Sequence, residues 1–139
     1  MNYNWDTEYK NMWDERYKKD VYVYGKEPND FFKACLVKFN PGSILMPADG
    51  EGRNGVFAAK KGWVATSFDL SAEGKAKAWS LAHEYSVTIN YIVGNFEALA
   101  FEKEQFEAIG LIYADKGFTF MSAYVAATGF ENFIAAPKL

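Results

Sequence analysis

Hydrophobic residues recur at helical spacing in the first forty residues. Aromatic residues return every three or four positions in "WDTEYKNMWDERY", which predicts a helix with one aromatic face. Gly25 and Pro28 interrupt this pattern, and the apolar residues of "FFKACLVKF" then predict a second helix, which "NPG" ends. Pro28 suits the start of this second helix, because the first helical position needs no backbone N–H.

The middle of the chain alternates between strand and helix patterns. Strands are predicted for the segments "SILMPA", "WVATSFD", "VTINYIVGN" and "EAIGLIYAD". Pro47 implies either an early end to the first strand or a bend in it. The segments "RNGVFAAKKG" and "SAEGKAKAWSLAHEYS" predict helices between the first three strands. This alternation is typical of α/β proteins, so we expect a Rossmann-like sheet of mainly parallel strands with flanking helices and a helical N-terminal extension.

Residues 115–139 form an apolar tail whose pattern is ambiguous. Phe118, Phe120, Ser122 and Tyr124 could alternate on a strand, but "MSAYVAA" would also serve as a helix. We therefore expect one domain of 139 residues, with a helical segment (1–42), a βαβαββ core (43–114) and this tail.

Composition narrows the choice of partners. The net charge of −3 and the lack of lysine or arginine clusters argue against nucleic acid, which needs clustered cations. The chain has a single cysteine, so it cannot form an internal disulfide. With only one histidine besides, it has too few ligands for a typical zinc site. The N-terminus lacks the apolar run of a signal peptide, and no stretch is long enough to span a membrane. We therefore expect a cytoplasmic protein with neither a membrane partner nor a metal.

Gly50, Gly52 and Gly55 carry the spacing G-x-G-x-x-G between the first predicted strand and the next helix. In this context the first glycine makes a tight turn, the second admits a ligand close to the backbone, and the third lets the helix pack on the strand. Asp69 follows at the end of the next strand, about where a carboxylate binds ribose hydroxyls in such sites. The residues therefore predict an adenosine-containing ligand.

The segment "PGSILMPADGEGRNGVFAAKKGWVATSFDLS" resembles the cofactor loop and following strand of class I S-adenosylmethionine-dependent methyltransferases. Its "GEGRN" most resembles their tellurite-resistance, TehB-like branch, as do "WDERY", "YVYGKEPNDFF" and "FEAIGLIYA". The resemblance implies S-adenosylmethionine as cofactor and methyl transfer to a small-molecule acceptor. It also implies a set of cofactor-binding residues: Ala48, Asp49, Gly50, Glu51 and Gly52 at the methionine part, Asp69 at the ribose, Leu70, Asn95 and Phe96 at the adenine, and Tyr113 near the methyl donor.

The sequence departs from this family pattern in three places. Met46 and Ala48 replace an acidic residue and a glycine of the common "LDLGCG", and Asp49 could take over part of the lost charge's role at the cofactor's amino group. Asn95 stands where an aspartate is common. After Asp115 the family's fifth strand and final hairpin are not recognisable, so we expect the C-terminal half of the usual sheet to be missing or replaced.

Three residues are weaker candidates for contacts with the acceptor or for a lid. The aromatic face of the first helix, which includes Tyr17, either packs on the sheet or covers the site together with Tyr24. Arg53 could bind an anionic acceptor or lie exposed at a helix start.

Two other functions stay open at this point. The glycine spacing and Asp69 would also serve an NAD-dependent oxidoreductase. The short C-terminus would suit a catalytically inactive module that binds a nucleoside cofactor or promotes oligomerisation. Methyl transfer needs alignment more than a dedicated base, so no catalytic residue is assigned. An unfinished sheet would expose an edge, which leads us to expect a homodimer.

Overall fold

A computed structural model describes residues 5–94, 101, 105–112, 120–127 and 130–137. The elements are α1 (Trp5–Tyr17), α2 (Asp30–Leu36), β1 (Ser43–Pro47), α3 (Arg53–Lys60), β2 (Val64–Asp69), α4 (Ala72–Glu84), β3 (Asn90–Val93), β4 (Ala108–Leu111), β5 (Phe120–Ala127) and β6 (Phe130–Pro137). Up to β4 the elements follow the predicted order, so the predicted α/β, Rossmann-like architecture is confirmed. β1 ends at Pro47, which is the first of the two alternatives that this proline allowed.

The six strands form one sheet in the order β3-β2-β1-β4-β5-β6. β1 pairs in parallel with β2 and β4, and β2 pairs in parallel with β3. β5 and β6 continue the sheet with antiparallel pairing. The tail with the ambiguous pattern therefore adds two strands to the chain's own sheet. β5 pairs with β4 along the edge that we expected to be exposed.

The helices that connect the parallel strands share one face of the sheet. The units β1–α3–β2 and β2–α4–β3 step in the same direction across the sheet, and right-handed crossovers then place both helices on the same side. There α3 lies between α2 and α4. The core of this layer includes Ile44, Val56 and Leu81, each at most 1% exposed.

The start of α2 is set by Asn29. The Asn29 side chain accepts a hydrogen bond from Phe32 N at 2.9 Å, and the helix begins one residue after Asn29. The backbone N–H of Asn29 donates to Asn54 Oδ1 on α3 at 2.8 Å, which ties the two helices together. The prediction that Pro28 opens this helix was therefore wrong, because an asparagine side chain supplies a cap that proline cannot. The helix also ends at Leu36, before "NPG".

Gly74, in the first turn of α4, lies in close contact with neighbouring elements. Ser71 caps the helix by accepting a hydrogen bond from Gly74 N at 3.0 Å. A Cβ atom on Gly74 would lie 2.8 Å from Gly50 O and 3.2 Å from Tyr17 Cδ2. Gly74 lowers helix propensity, but it lets the loop after β1 and helix α1 approach α4 closely.

In the described part of the chain, no helix combines the length and the apolar character that a bilayer crossing requires. The same residues contain no group of three His, Cys, Asp or Glu side chains placed to hold a metal ion. His83 is exposed on α4, and Cys35 is a half-buried free thiol.

Candidate functional site

A cavity of about 190 Å³ lies at the carboxyl ends of β1 and β2. Ligand sites of open α/β sheets lie where the strand order reverses, which in this sheet is between β1 and β4. The loop after β1, the end of β2, helix α1 and the turn at residues 24–25 all contribute to its lining. The predicted ligand-binding loop therefore borders a cavity.

Asp69 fastens this loop to the end of β2. Its Oδ2 atom accepts a hydrogen bond from Gly50 N at 2.9 Å, and its Oδ1 atom accepts one from Ser71 N at 3.1 Å. Burial raises the pKa of the Asp69 carboxyl above its ordinary value, although these backbone hydrogen bonds oppose the shift. Asp69 thus lies on the same side of the sheet as the glycine turn, and both residues line the cavity.

The three glycines of the motif have different neighbours. Gly50 adopts φ +54°, and a Cβ there would lie 2.5 Å from the Tyr17 hydroxyl. At Gly52, with φ +84°, a Cβ would lie 2.5 Å from Ala78 Cβ on α4. Gly52 is absent from the cavity lining, so its missing side chain makes room for a helix. Gly55 makes room for the Asp49 carboxylate, whose Oδ2 atom would lie 2.4 Å from a Cβ.

The Asp49 carboxylate is enclosed between β2 and α3. Its Oδ2 atom accepts hydrogen bonds from Ser67 Oγ at 2.7 Å and from Gly55 N at 3.2 Å. The second of these satisfies an N–H in the first turn of α3, where the N-cap residue Gly52 offers no side chain. Its Oδ1 atom is buried and has no hydrogen-bond partner in the described structure. Burial raises the pKa of Asp49 to about 7, and the nearby Asp69 charge adds to the shift.

Aromatic residues of α1 form one side of the cavity. Trp13 and Tyr17 are 8% and 4% exposed, and their rings stack at 5.2 Å. Tyr9 and Tyr24 also line the cavity and pack near Trp13 but are more exposed. Asp14 holds α1 against α4 by accepting a hydrogen bond from Ser71 Oγ at 2.5 Å. The same aromatic side chains of α1 are therefore packed against the rest of the protein and line the cavity.

Glu51 fixes the chain that follows α1. It accepts a hydrogen bond from Val23 N at 2.7 Å and forms an ion pair with Lys77 on α4. The Lys77 ammonium also donates to the carbonyls of Lys19 and Val21, both at 2.7 Å. Although Glu51 lines the cavity, its carboxylate is engaged in holding residues 19–23 beside it.

Arg53 is a buried cation at the same end of the cavity as Tyr24. It is 8% exposed, its Nη1 atom donates to Glu27 O at 3.3 Å, and its guanidinium lies 5.7 Å from the Tyr24 ring centroid. Burial lowers the pKa of Arg53, and among the described residues no carboxylate lies within ion-pair distance. The expectation of an exposed helix-start residue is wrong, because Arg53 lines the cavity.

The structure brings most of the candidate residues to the cavity. The lining includes Ala48, Asp49, Gly50, Glu51, Asp69, Leu70, Tyr17, Tyr24 and Arg53. Asn95, Phe96 and Tyr113 lie outside the described residues. Sequence patterns did not point to Tyr91, whose hydroxyl donates to Gly50 O at 2.5 Å, or to Ser67 and Lys77. Each of these three contacts joins residues that are 18 or more positions apart, and none of the three belongs to a motif.

Comparison with known proteins identifies the family to which this domain belongs. A family model described as a methyltransferase domain matches residues 45–121, more than half of the chain. No curated protein sequence matches significantly. Among solved structures, magnesium protoporphyrin IX methyltransferase (ChlM) from Synechocystis PCC 6803 is 12% identical, with a TM-score of 0.62 and 99% of each chain covered.

Two further solved structures share the fold but are longer. One, from work on the conversion of a disulfide bond into a thioacetal group during echinomycin biosynthesis, is 21% identical with a TM-score of 0.57 over 73% of this chain. The other, a Pyrococcus abyssi tRNA (uracil-54, C5)-methyltransferase, is 18% identical with a TM-score of 0.51 over 58% of this chain. This chain spans 45% and 20% of their lengths. From the family match and the fold together, the chain belongs to the methyltransferase-domain family.

Proposed function

We propose that this protein is an S-adenosylmethionine-dependent methyltransferase that acts on a small-molecule acceptor. The observation that carries the proposal is the cavity between the loop after β1 and Asp69, in a domain of the methyltransferase family. S-adenosylmethionine is the cofactor, and its sulfonium supplies an activated methyl group. The remaining task of the protein is to hold and align the reactants and to exclude water.

The residues around the cavity fit this cofactor. Backbone N–H groups of Gly50, Ser71 and Leu70 donate to the Asp69 carboxylate, whose remaining lone pairs can accept from a ribose hydroxyl. Asp49 lines the cavity, and the charge of its buried carboxylate would attract the positively charged methionine end. Arg53 offers guanidinium N–H groups beyond the one that Glu27 O accepts. Trp13 and Tyr17 are nearly inaccessible to solvent and limit the entry of water.

Several finer assignments belong to this proposal. We assign the chain to the TehB-like branch on the basis of "GEGRN", and we place it in the cytoplasm. A homodimer remains a prediction. β6 and β3 are the edge strands of the sheet, and because exposed edges favour pairing between chains, we predict that the two chains pair through β6. Asn95, Phe96 and Tyr113 remain predicted cofactor contacts. We favour a small acceptor because the chain lacks clustered cations for a nucleic acid.

Isothermal titration with S-adenosylmethionine, S-adenosylhomocysteine and NAD tests the proposal. We expect micromolar binding of the first two and no heat from NAD. A radiolabelled methyl donor with thiol, amine and oxyanion acceptors then tests transfer. Binding of NAD alone would contradict the proposal, and cofactor binding without transfer to any acceptor would favour a non-catalytic binding module.

Asp69→Ala should weaken cofactor binding at least about tenfold, because the ribose loses a charge-assisted acceptor and Gly50 N loses its partner. Titration of the folded variant measures the loss. Glu8→Ala, an exposed substitution on α1, serves as the control and should bind as the wild type does. Unchanged affinity of Asp69→Ala would mean that the ribose is held elsewhere.

A further inference from the structure

Arg53, the first residue of α3, is a buried cation with an incomplete set of hydrogen bonds. It is 8% exposed, and arginine is rarely buried without an acidic partner. Within the described residues its guanidinium makes one hydrogen bond, in which Nη1 donates to Glu27 O at 3.3 Å, although the group carries five N–H bonds. None of its nitrogens is among the fully buried polar atoms that lack a partner in this part of the chain. Its remaining N–H groups therefore keep access to the cavity that Arg53 lines.

The nearby acidic residues do not pair with Arg53. The carboxylates of Asp49 and Asp30 act on it electrostatically, but no described carboxylate lies within ion-pair distance. Asp49 already accepts from Ser67 and Gly55, and Asp30 is exposed at the start of α2. Burial lowers the pKa of Arg53, but a guanidinium stays protonated in proteins. The cavity wall at Arg53 therefore carries a positive charge with N–H groups that no described residue accepts from.

The guanidinium faces the segment between α1 and α2. Glu27 O accepts from it, and the Tyr24 ring centroid lies 5.7 Å away. Tyr24 and Tyr9 line the same cavity and are 37% and 43% exposed, so a ligand can reach their rings. All three residues precede residue 45, where the match to the methyltransferase-domain family begins. Because proteins of one fold act on different substrates, we expect acceptor contacts at such a segment rather than in the shared domain.

We propose that Arg53 is a specificity-determining residue for the acceptor, and that the acceptor is a small anion whose carboxylate or oxyanion group binds the guanidinium. The inference rests on the proposed function and narrows its class of acceptor. A guanidinium offers two parallel N–H groups to such an anion, and the tyrosine rings suit an apolar or aromatic body attached to it. The carboxylate of the cofactor's methionine part is the other anion that could bind Arg53, and the experiment distinguishes the two.

Ligand-observed NMR titration of the full chain, saturated with S-adenosylhomocysteine, measures the binding of two probes of the same shape. Benzoate carries the anionic group, and benzamide is its neutral analogue. We expect the wild type to bind benzoate at least about tenfold more tightly than benzamide, because the contact with Arg53 is charge-assisted. In Arg53→Gln this preference should disappear, whereas the affinity for S-adenosylhomocysteine, measured by calorimetry, should be unchanged.

Arg16→Gln is the matched control. Arg16 is exposed and lies outside the cavity lining, but its guanidinium contacts the Trp13 ring at 4.7 Å. The control therefore removes the same charge and also reports any effect that passes through the aromatic side of the cavity. It should keep the preference for benzoate. Loss of the preference in both variants, its persistence in Arg53→Gln, equal affinity of the wild type for the two probes, or binding of neither would overturn the inference and leave the proposed function standing.

A fall in the affinity of Arg53→Gln for S-adenosylhomocysteine would also overturn the inference, because the cofactor's carboxylate would then be the partner of Arg53. Absence of S-adenosylhomocysteine binding by the wild type would overturn the inference and the proposed function together. If Arg53→Gln does not fold, Arg53→Lys replaces it. The lysine keeps the charge but loses the paired N–H groups, so benzoate binding should weaken, and unchanged binding would contradict the role of the guanidinium.

Discussion

Asp49 and Asp69 mark two regions of one cavity that are stabilised in opposite ways. At Asp69 backbone N–H groups reach both carboxylate oxygens: Gly50 N donates to Oδ2 and Ser71 N to Oδ1. At Asp49 the protein supplies two donors to one oxygen and none to the other. Both Asp69 oxygens are therefore hydrogen-bonded without a ligand, and their remaining lone pairs can accept neutral hydroxyls. Above its raised pKa of about 7, the Asp49 region carries a charge without a counterion, and this charge weakens the protein.

Among the variants that test this comparison, Gly52→Ala should lower stability the most, because it disturbs the loop that connects the two regions. A Cβ at Gly52 would lie 2.5 Å from Ala78 Cβ and 3.0 Å from its Cα, and φ is +84°. Strain and overpacking together should lower the free energy of unfolding by about 3 kcal/mol. Urea denaturation measures the change.

Gly25→Ala separates strain from packing. Gly25 has a similar φ of +78°, but a Cβ there would meet nothing within 4 Å. This variant should lose only about 1 kcal/mol, the cost of the backbone conformation alone. Equal losses at Gly25 and Gly52 would show that the contact with α4 is unimportant.

The same substitution, Asp→Asn, should have opposite signs in the two regions. In Asp69→Asn the amide NH₂ must face either Gly50 N–H or Ser71 N–H, so one donor loses its acceptor and stability falls by about 1–3 kcal/mol. In Asp49→Asn the amide oxygen can keep both donors of Oδ2 while the NH₂ replaces the unpartnered oxygen. This variant should gain about 1 kcal/mol at pH 8 without ligand. Urea denaturation at several pH values measures both changes.

The pH dependence follows from the raised pKa of Asp49. Because folding raises this pKa from 3.8 to about 7, the contribution of Asp49 to stability is fully present below pH 4 and is lost as the pH rises to 7 and beyond. The advantage of Asp49→Asn should therefore grow from pH 4 to pH 7 and then level off. A stability difference that does not vary with pH would show that Asp49 is not buried as a charge.

The smallest effect should come from Tyr91→Phe. The Tyr91 hydroxyl donates to Gly50 O in a buried hydrogen bond, while Gly50 N donates to Asp69. Its loss should cost about 1 kcal/mol of stability. Thermal unfolding measures the change. Unchanged stability would show that this hydrogen bond does not hold the loop.

The core of the fold could be predicted because its signals are local. Alternating strand and helix patterns and the glycine turn each occupy a few consecutive residues, and the structure contains all of them. Asp69 was found for the same reason, since its distance from the turn is set by one strand and one helix. The tail was ambiguous because an apolar segment with small residues fits either element, and only pairing with β4 selects the strand.

The sequence by itself determined the order of the helices and parallel strands along the chain, the position of the turn, and the carboxylate at the end of β2. Only the tertiary structure decided what each side chain of the turn contacts: Gly52 faces a helix, Glu51 is engaged by Lys77, and Asp49 keeps one oxygen without a partner. The physical reason is that backbone preference acts over a few residues. Burial and charge balance depend on groups that are distant in sequence and meet only when the sheet and its helices are assembled.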